Sequence, residues 1–315
     1  MVQMTTLSKE QPFTKLSFSG HATFPFRYTW LKKAVDAVSV DPFLFKKDTA
    51  LVPLGVGKVM VDSIKYWATT LKIIEETPSN KGEDGGCQVT SLGRKLFADN
   101  GWDPYLEDGA TLWLLHWFLA SEKTRASTWF YAFNKLTSVE FTKEQLSAEL
   151  LDFARQNNSK PTPNTLARDI DCFVRSYVPS KNVSSAALLE DTLDCPLVEL
   201  ELVFEAGQKG LYVFSRGDKK ELPDELLVFA VLDYWDKVKG QGDVLSLEEL
   251  AYGEASPGLV FKIDEDSLIR RFEKLERVTN GQLTFDDTSG LRQVYRRAST
   301  PDPEEYLKRY FERKA

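Results

Sequence analysis

A chain of 315 residues that is 42% hydrophobic and 12% aromatic carries enough apolar material to bury a sizeable core, so it is neither disordered nor fibrous. Its net charge of −7 does not by itself favour nucleic acid, while two histidines and three scattered cysteines (Cys87, Cys172, Cys195) exclude a His-rich metal site, a Cys-based zinc site and a disulfide framework. No run approaches the ~18 consecutive apolar residues of a membrane span, and the polar start from Met1 to Glu10 is no signal peptide; a cytoplasmic protein is expected.

The charge is unevenly spread. Residues 14–72 hold nine Lys/Arg against four Asp/Glu, residues 181–266 eight against nineteen, and residues 267–315 eleven against eight. A basic front and an acidic rear suit a protein that meets an anion with one face and a partner or solvent with another; ordinary surface patchiness is the alternative.

Residues 1–17 read as a loose lead-in. A first helix is predicted over 29–38, with Trp30, Ala34, Val35 and Val38 buried and Lys32, Lys33 and Asp36 in solvent; Asp41-Pro42 stops it, since the residue before proline disfavours helix. A second helix, 57–70, places Met60, Ile64, Trp67 and Leu71 on one face and Lys58, Asp62, Lys65 and Thr69 on another. Leu71–Glu76 reads as a strand, 77–86 as a Gly-rich turn, Gln88–Thr90 as a strand and Ser91–Phe97 as a helix. That order matches a winged-helix module, whose second helix enters the major groove and whose hairpin lies along the backbone. Lys58, Ser63, Lys65 and Tyr66 are then the groove- or phosphate-facing candidates. Modules of this order also serve protein–protein contact.

The middle is helical. Asp108 is placed to cap a helix over 110–120 that is apolar almost all round, with His116 inside it as a hydrogen-bonded core histidine. Helices follow over 127–136, 142–156 and 162–178; Thr142 with Gln145 starts a capping box, and Thr162-Pro163 caps the last of them. That last helix shows Leu166, Ile170, Phe173 and Tyr177 as one stripe and Arg168, Asp171, Cys172 and Arg175 as another. Arg168 and Arg175 could hold phosphates, or form a solvated ion-pair face with Asp171.

Beyond 193 the period changes. Leu197–Phe204 and Leu211–Phe214 read as a hairpin turning at Gly207–Gly210. Helices are predicted over 221–237, from Ser246, over 267–278 under an Asp266 cap, and over 304–313, with a second hairpin of 283–285 and 292–296. The expected fold is mainly α with small β-hairpins, an α+β chain: an N-terminal winged-helix module (1–100), a helical core (101–180) and a C-terminal winged-helix-like region (181–315), with no low-complexity linker.

Enzyme signatures are sparse. Gly55-Val-Gly57-Lys58 lacks the preceding strand and the Ser/Thr of a phosphate-binding loop, and no Gly-x-Ser-x-Gly elbow is present. A catalytic centre would have to use carboxylates, with His21 as a further candidate. Phosphodiester hydrolysis commonly uses Mg²⁺ or Mn²⁺ held by Asp/Glu oxygens. Asp103, Glu107 and Asp108 form the compact cluster, with Asp103 and Asp108 as metal-ligand candidates; Asp169 with Asp171 is a second pair. Helix capping and plain surface charge are the competing roles for each. Around His21, Arg27, Lys32 and Lys33 are further phosphate-facing candidates.

Several stretches together resemble a known family: Phe18-Ser-Gly-His-Ala-Thr-Phe-Pro-Phe-Arg-Tyr-Thr-Trp-Leu-Lys-Lys33, Leu54-Gly-Val-Gly-Lys58, Ile64-Lys-Tyr-Trp67, Asp103-Pro-Tyr-Leu-Glu-Asp108, Leu112-Trp-Leu-Leu-His-Trp117 and Arg168-Asp-Ile-Asp-Cys-Phe173. The chain resembles the SspB-type components of bacterial single-strand DNA phosphorothioation systems, most strongly over its first ~180 residues. The resemblance implies a strand-specific DNA nickase that opens double-stranded DNA for sulfur incorporation. It also implies, as partners, a cysteine desulfurase, an ATPase and a PAPS-reductase-like protein. A homodimer stays open. Ala22 stands where the family carries a polar or acidic residue, which leaves room for a binding-only member. The alternative is a non-catalytic winged-helix adaptor or transcriptional regulator.

Overall fold

The helix that the rest of the chain packs around is α5 (Gly109–Ala120), in which every residue from Ala110 to Ala120 is buried. A helix apolar on all sides has no face to give to water, so neighbours must cover it completely. The coordinates are a computed structural model, which describes residues 15–78, 85–180, 195–240, 242–288, 290–297 and 302–314.

On the N-terminal side lie α1 (Trp30–Val40), α2 (Leu51–Leu54), α3 (Lys58–Thr70), the antiparallel pair β1 (Ile74–Glu76) and β2 (Cys87–Val89), and α4 (Ser91–Phe97). The strand expected from Leu71 begins only at Ile74, because Lys72 takes a left-handed turn at φ 60°. The tip of the predicted Gly-rich turn falls outside the described residues. Helix α1 packs on α3, α4 and β2. Lys32, expected in solvent, is only 8% exposed: Asp36 one turn on and Asp99 beyond α4 close over its ammonium at 2.5 and 2.8 Å.

The middle contributes α6 (Ser127–Asn134), β3 (Glu140–Thr142), α7 (Lys143–Gln156) and α8 (Pro163–Tyr177). Their starts follow local chemistry. Thr142 and Gln145 complete the capping box, and the Thr162 hydroxyl accepts from the Thr165 amide with Pro163 in the first turn. Helix α8 is covered by α6, α7 and a 3₁₀ helix (Pro196–Leu200), so Cys172, placed by periodicity on an outer stripe, is fully buried.

The segment Leu197–Leu200, expected to be extended, belongs to that 3₁₀ helix. Pro196 fixes its first turn and Glu201 ends it at φ 50°, so β4 is only Val203–Glu205. β5 (Leu211–Phe214) pairs with β4 as foreseen and also with β3, giving the order β3-β5-β4. A strand of the helical middle thus shares a sheet with the region beyond 180, across the boundary drawn from sequence.

The remainder is α9 (Asp224–Val238), β6 (Val244–Ser246), α10 (Leu247–Tyr252), α11 (Pro257–Val260), α12 (Glu265–Phe272), α13 (Leu275–Val278), β7 (Leu283–Thr288), β8 (Leu291–Arg296) and α14 (Glu304–Lys314). The sheet order is β6-β8-β7, all antiparallel. Asp264, not Asp266, caps α12: its carboxylate accepts from the Ser267 amide at 2.8 Å, and the helix breaks after Phe272. The fold is therefore α+β, with helices dominating and small antiparallel sheets. One continuous apolar cluster runs from Leu16 to Phe311. Among the described residues no helix is long and apolar enough to cross a membrane.

Candidate nucleic-acid interface

Residues 18–29 form a tight loop leading into α1, and its geometry is set by three unusual backbone positions within four residues. Gly20, Ala22 and Thr23 have φ of 122°, 47° and 70°. Such a loop persists only if its surroundings hold it. The Phe24 amide and the Ser63 hydroxyl both donate to the His21 carbonyl, at 2.9 and 2.6 Å. Trp67 Nε1 donates to the Phe24 carbonyl at 2.8 Å, and Arg175 donates to the Thr23 carbonyl. The Tyr66 ring lies against Gly20, where a Cβ would come within 2.6 Å of it.

The strongest tie is the His21 ring. It is 2% exposed, and its Nε2 meets Asp169 Oδ1 on α8 at 2.6 Å. The Thr23 amide donates to Nδ1 at 3.0 Å, so the ring hydrogen sits on Nε2 and points at the carboxylate. The second Asp169 oxygen accepts from the Thr128 hydroxyl of α6. Tyr66 and Trp129 meet the imidazole edge-on at 5.7 and 5.8 Å, with Trp67 tilted beside it. Both ring nitrogens and both carboxylate oxygens are thus committed within the protein. His21, a catalytic candidate by sequence, acts here as a pin between the loop and α8.

The same segments wall a groove of about 660 Å³. Lys15, Ser17 and Ser19 come from the stretch of chain leading into the pin, Arg125 from the turn before α6, Lys160 from the loop before α8 and Thr165 from the first turn of α8; no carboxylate lines it. Cations, hydroxyls and no acid form a surface suited to phosphate oxygens.

The other predicted residues are dispersed. Lys58 is exposed and 3.1 Å from Asp48; Lys65 lies 2.7 Å from Glu76, whose second oxygen takes Arg125, also at 2.7 Å. The hydrogen bonds from Lys65 and then Arg125 hold the Glu76 carboxyl at about 2. Ser63, expected to face a groove, is fully buried. Half-buried Tyr66 donates to the Arg125 carbonyl at 2.8 Å; burial, with Asp169 nearby, pushes its hydroxyl well above the ordinary phenol range. Arg27 covers the Phe24 and Trp30 rings. Lys33 is half-buried, and Arg168 is exposed with no ion-pair partner among the described residues.

The Asp103 and Asp108 carboxylates of the 103–108 cluster are engaged in structural contacts. Asp103 is 4% exposed and accepts from the Glu107 and Asp108 amides at 2.8 and 3.2 Å. Asp108 caps α5 through the Ala110 amide at 2.9 Å and binds Tyr310 and Lys314 of α14 at 3.0 and 2.8 Å. Burial works against this carboxylate, yet Lys314, the Ala110 amide and Tyr310 hold its pKa below the usual value. Only Glu107 is left exposed, so the three do not form a cage for Mg²⁺ or Mn²⁺. Asp169 and Asp171 face opposite ways: Asp171 is exposed and pairs with Lys143 at 2.6 Å. Among the described residues no group of three or more His, Cys, Asp or Glu is arranged to hold a metal.

A family model described as a protein of unknown function, DUF4007, matches residues 18–311. The chain belongs to this family. Two solved structures are similar over nearly the whole length. A magnesium ion-bound crystal structure of SspB is 30% identical, with 93% of each chain covered and a TM-score of 0.80. A second SspB crystal structure is 29% identical, covering 95% of this chain and 94% of that one at a TM-score of 0.81. The SspB-type family suggested by the quoted motifs is thus the one found, and the likeness extends well past the first ~180 residues that carry those motifs. The chain matches no curated protein.

Thr128, Lys15, Arg125 and Lys160 were not among the residues selected from sequence, and Asp169 was selected only as a carboxylate beside Asp171, not as the buried partner of His21. One signal for Asp169 was present. With the start of α8 fixed by Thr162, position 169 falls three residues after Leu166 and four before Phe173, inside the apolar stripe. An acid there needs a buried partner.

Proposed function

We propose that this protein is the DNA-binding component of a bacterial phosphorothioation system and opens one strand of double-stranded DNA for sulfur incorporation. The likeness to SspB over 93% of each chain carries this reading. The groove of Lys15, Arg125 and Lys160, whose lining holds no carboxylate although Arg125 also pairs with Glu76 behind it, supports it, because contacts to phosphate oxygens supply most sequence-independent affinity for DNA. The element orders of 30–97 and 224–296 are compatible with winged-helix modules, which fits the same reading. The implied partners are the cysteine desulfurase, the ATPase and the PAPS-reductase-like protein of such systems, in the cytoplasm, with the protein acting alone or as a homodimer.

Magnesium is bound in one of the two SspB structures. In this chain the carboxylates selected from sequence are committed to backbone amides and to Lys314, so no step is assigned to a resident metal. A second reading, a non-catalytic adaptor or transcriptional regulator, is favoured by the closure of the His21–Asp169 pair and by Ala22.

Supercoiled plasmid incubated with the protein and Mg²⁺ or Mn²⁺ separates the two. Open-circular product that is lost with the Lys15→Ala/Arg125→Ala/Lys160→Ala variant supports nicking. Plasmid that is shifted but uncut with either metal supports the adaptor.

A further inference from the structure

Between the start of α9, the α12–α13 helices and α14 lies a cleft of about 850 Å³, remote in sequence from the His21 loop. Its acids are largely answered from within. Buried Arg271 reaches Asp224 at 3.0 Å and Asp218 at 3.8 Å, and also donates to the carbonyls of Leu222 and Lys219. Arg313 pairs with Glu225 at 2.6 Å. Four further cations line the cleft, Lys220, Arg270, Lys274 and Arg277, all exposed and with no carboxylate in ion-pair range among the described residues. Glu221 is the single acid left against them. Arg270 is steadied by the Ser267 hydroxyl at 2.7 Å.

Three of these cations, Arg270, Lys274 and Arg277, follow at spacings of four and three along α12 and α13. The helix breaks after Phe272, between Arg270 and the other two, yet all three side chains line the same cleft, which gathers their positive charge on one surface. The element carrying them precedes the β7–β8 hairpin, whose second strand pairs with β6 ahead of the helices. Helix α3, the counterpart chosen from sequence, offers less: its exposed start carries Lys58 beside Asp48, then Val59 and Asp62.

The geometry points to the α12–α13 face, and not α3, as a second phosphate-backbone contact for duplex DNA. The inference rests on the DNA-binding reading above and adds a surface to it. Arg270, Lys274 and Arg277 contact the backbone, while Arg271 neutralises the acids beneath them.

The test is the affinity of the full chain for a short labelled DNA duplex across a salt series, for wild type and for Arg270→Ala/Lys274→Ala/Arg277→Ala. Losing three phosphate contacts lowers the slope of log affinity against log salt by about 3 and weakens binding on the order of 100-fold near physiological salt. An equal-charge control, Arg155→Ala/Lys209→Ala/Lys239→Ala, retains most of the affinity. Unchanged melting confirms that these exposed substitutions leave the fold intact. Duplex binding that the cleft variant leaves untouched overturns this inference alone, and so does a variant that loses only inorganic pyrophosphate binding. Wild-type protein that binds no duplex overturns the DNA-binding reading as well.

Discussion

His21 and Asp169 stand 148 positions apart and meet at 2.6 Å inside an aromatic enclosure, which makes this pair the main tie between the N-terminal loop and helix α8. Replacing Asp169 with Ala strands the Nε2–H of His21 and the Thr128 hydroxyl and opens a void. A loss of about 2–4 kcal/mol is expected. Asp169→Asn keeps an acceptor for His21, and the Thr128 hydroxyl can turn to accept from the amide, so its cost is about 1–2 kcal/mol. Urea midpoints at unchanged slope check both.

Gly20 is required twice over, by its φ of 122° and by the Tyr66 ring 2.6 Å from where a Cβ would sit. Gly20→Ala is predicted to cost about 1–3 kcal/mol. Adding Tyr66→Ala relieves the clash and leaves the backbone strain. The double variant should therefore fall short of the sum of the two single costs, a coupling that a thermal-denaturation cycle measures.

His116 gives a pH signature. Its Nε2–H donates to the Val260 carbonyl and its Nδ1 accepts from Tyr177, both at 2.8 Å, and burial drives its pKa down to about 3. The unfolded histidine titrates near 6.5, so the unfolded state holds more protons between those values. The stability associated with the neutral ring is fully present above pH ~6.5 and is lost as pH falls toward 3, on the order of 4–5 kcal/mol over that window. In His116→Gln this part of the pH dependence should vanish from denaturation curves between pH 4 and 7.

Lys262 is shifted in the same direction, a buried amine with no carboxylate partner in ion-pair range among the described residues. It donates to the Phe133 carbonyl at 2.8 Å and lies over Phe214, while burial, with Arg216 adding to it, lowers its pKa to about 7. The unfolded lysine titrates near 10.4, so stability should rise as pH increases from 7 to 10. Lys262→Met should raise Tm at pH 7 and flatten that rise; a lower Tm with the slope retained would contradict the assignment.

Helix starts written in adjacent residues were legible: Thr142 with Gln145, Thr162 with Pro163, Asp108 before α5, and His116 within the apolar helix. These depend on contacts within a few positions of the chain. Lys32 and Cys172 were misplaced because periodicity describes one helix face, whereas Asp99 closes over the first and the 3₁₀ helix at 196–200 helps cover the second. The His21–Asp169 tie could not be read from spacing at all, since no local rule links positions so far apart. The acidic cluster at 103–108 looked chemical because its acids are close in sequence, but two of the three satisfy backbone amides of their own turn. Lys58 and Lys65 had the periodicity of a recognition face, yet each has an acid beside it in space.

The central claim is that the groove beside the His21 pin holds DNA through its phosphates. Its most direct test is duplex affinity against salt for wild type and for Lys15→Ala/Arg125→Ala/Lys160→Ala. The account predicts salt-sensitive binding by the wild type and, in the variant, a slope lower by about 3 with a correspondingly weaker affinity. A variant that folds normally and binds duplex with unchanged affinity and slope would contradict it.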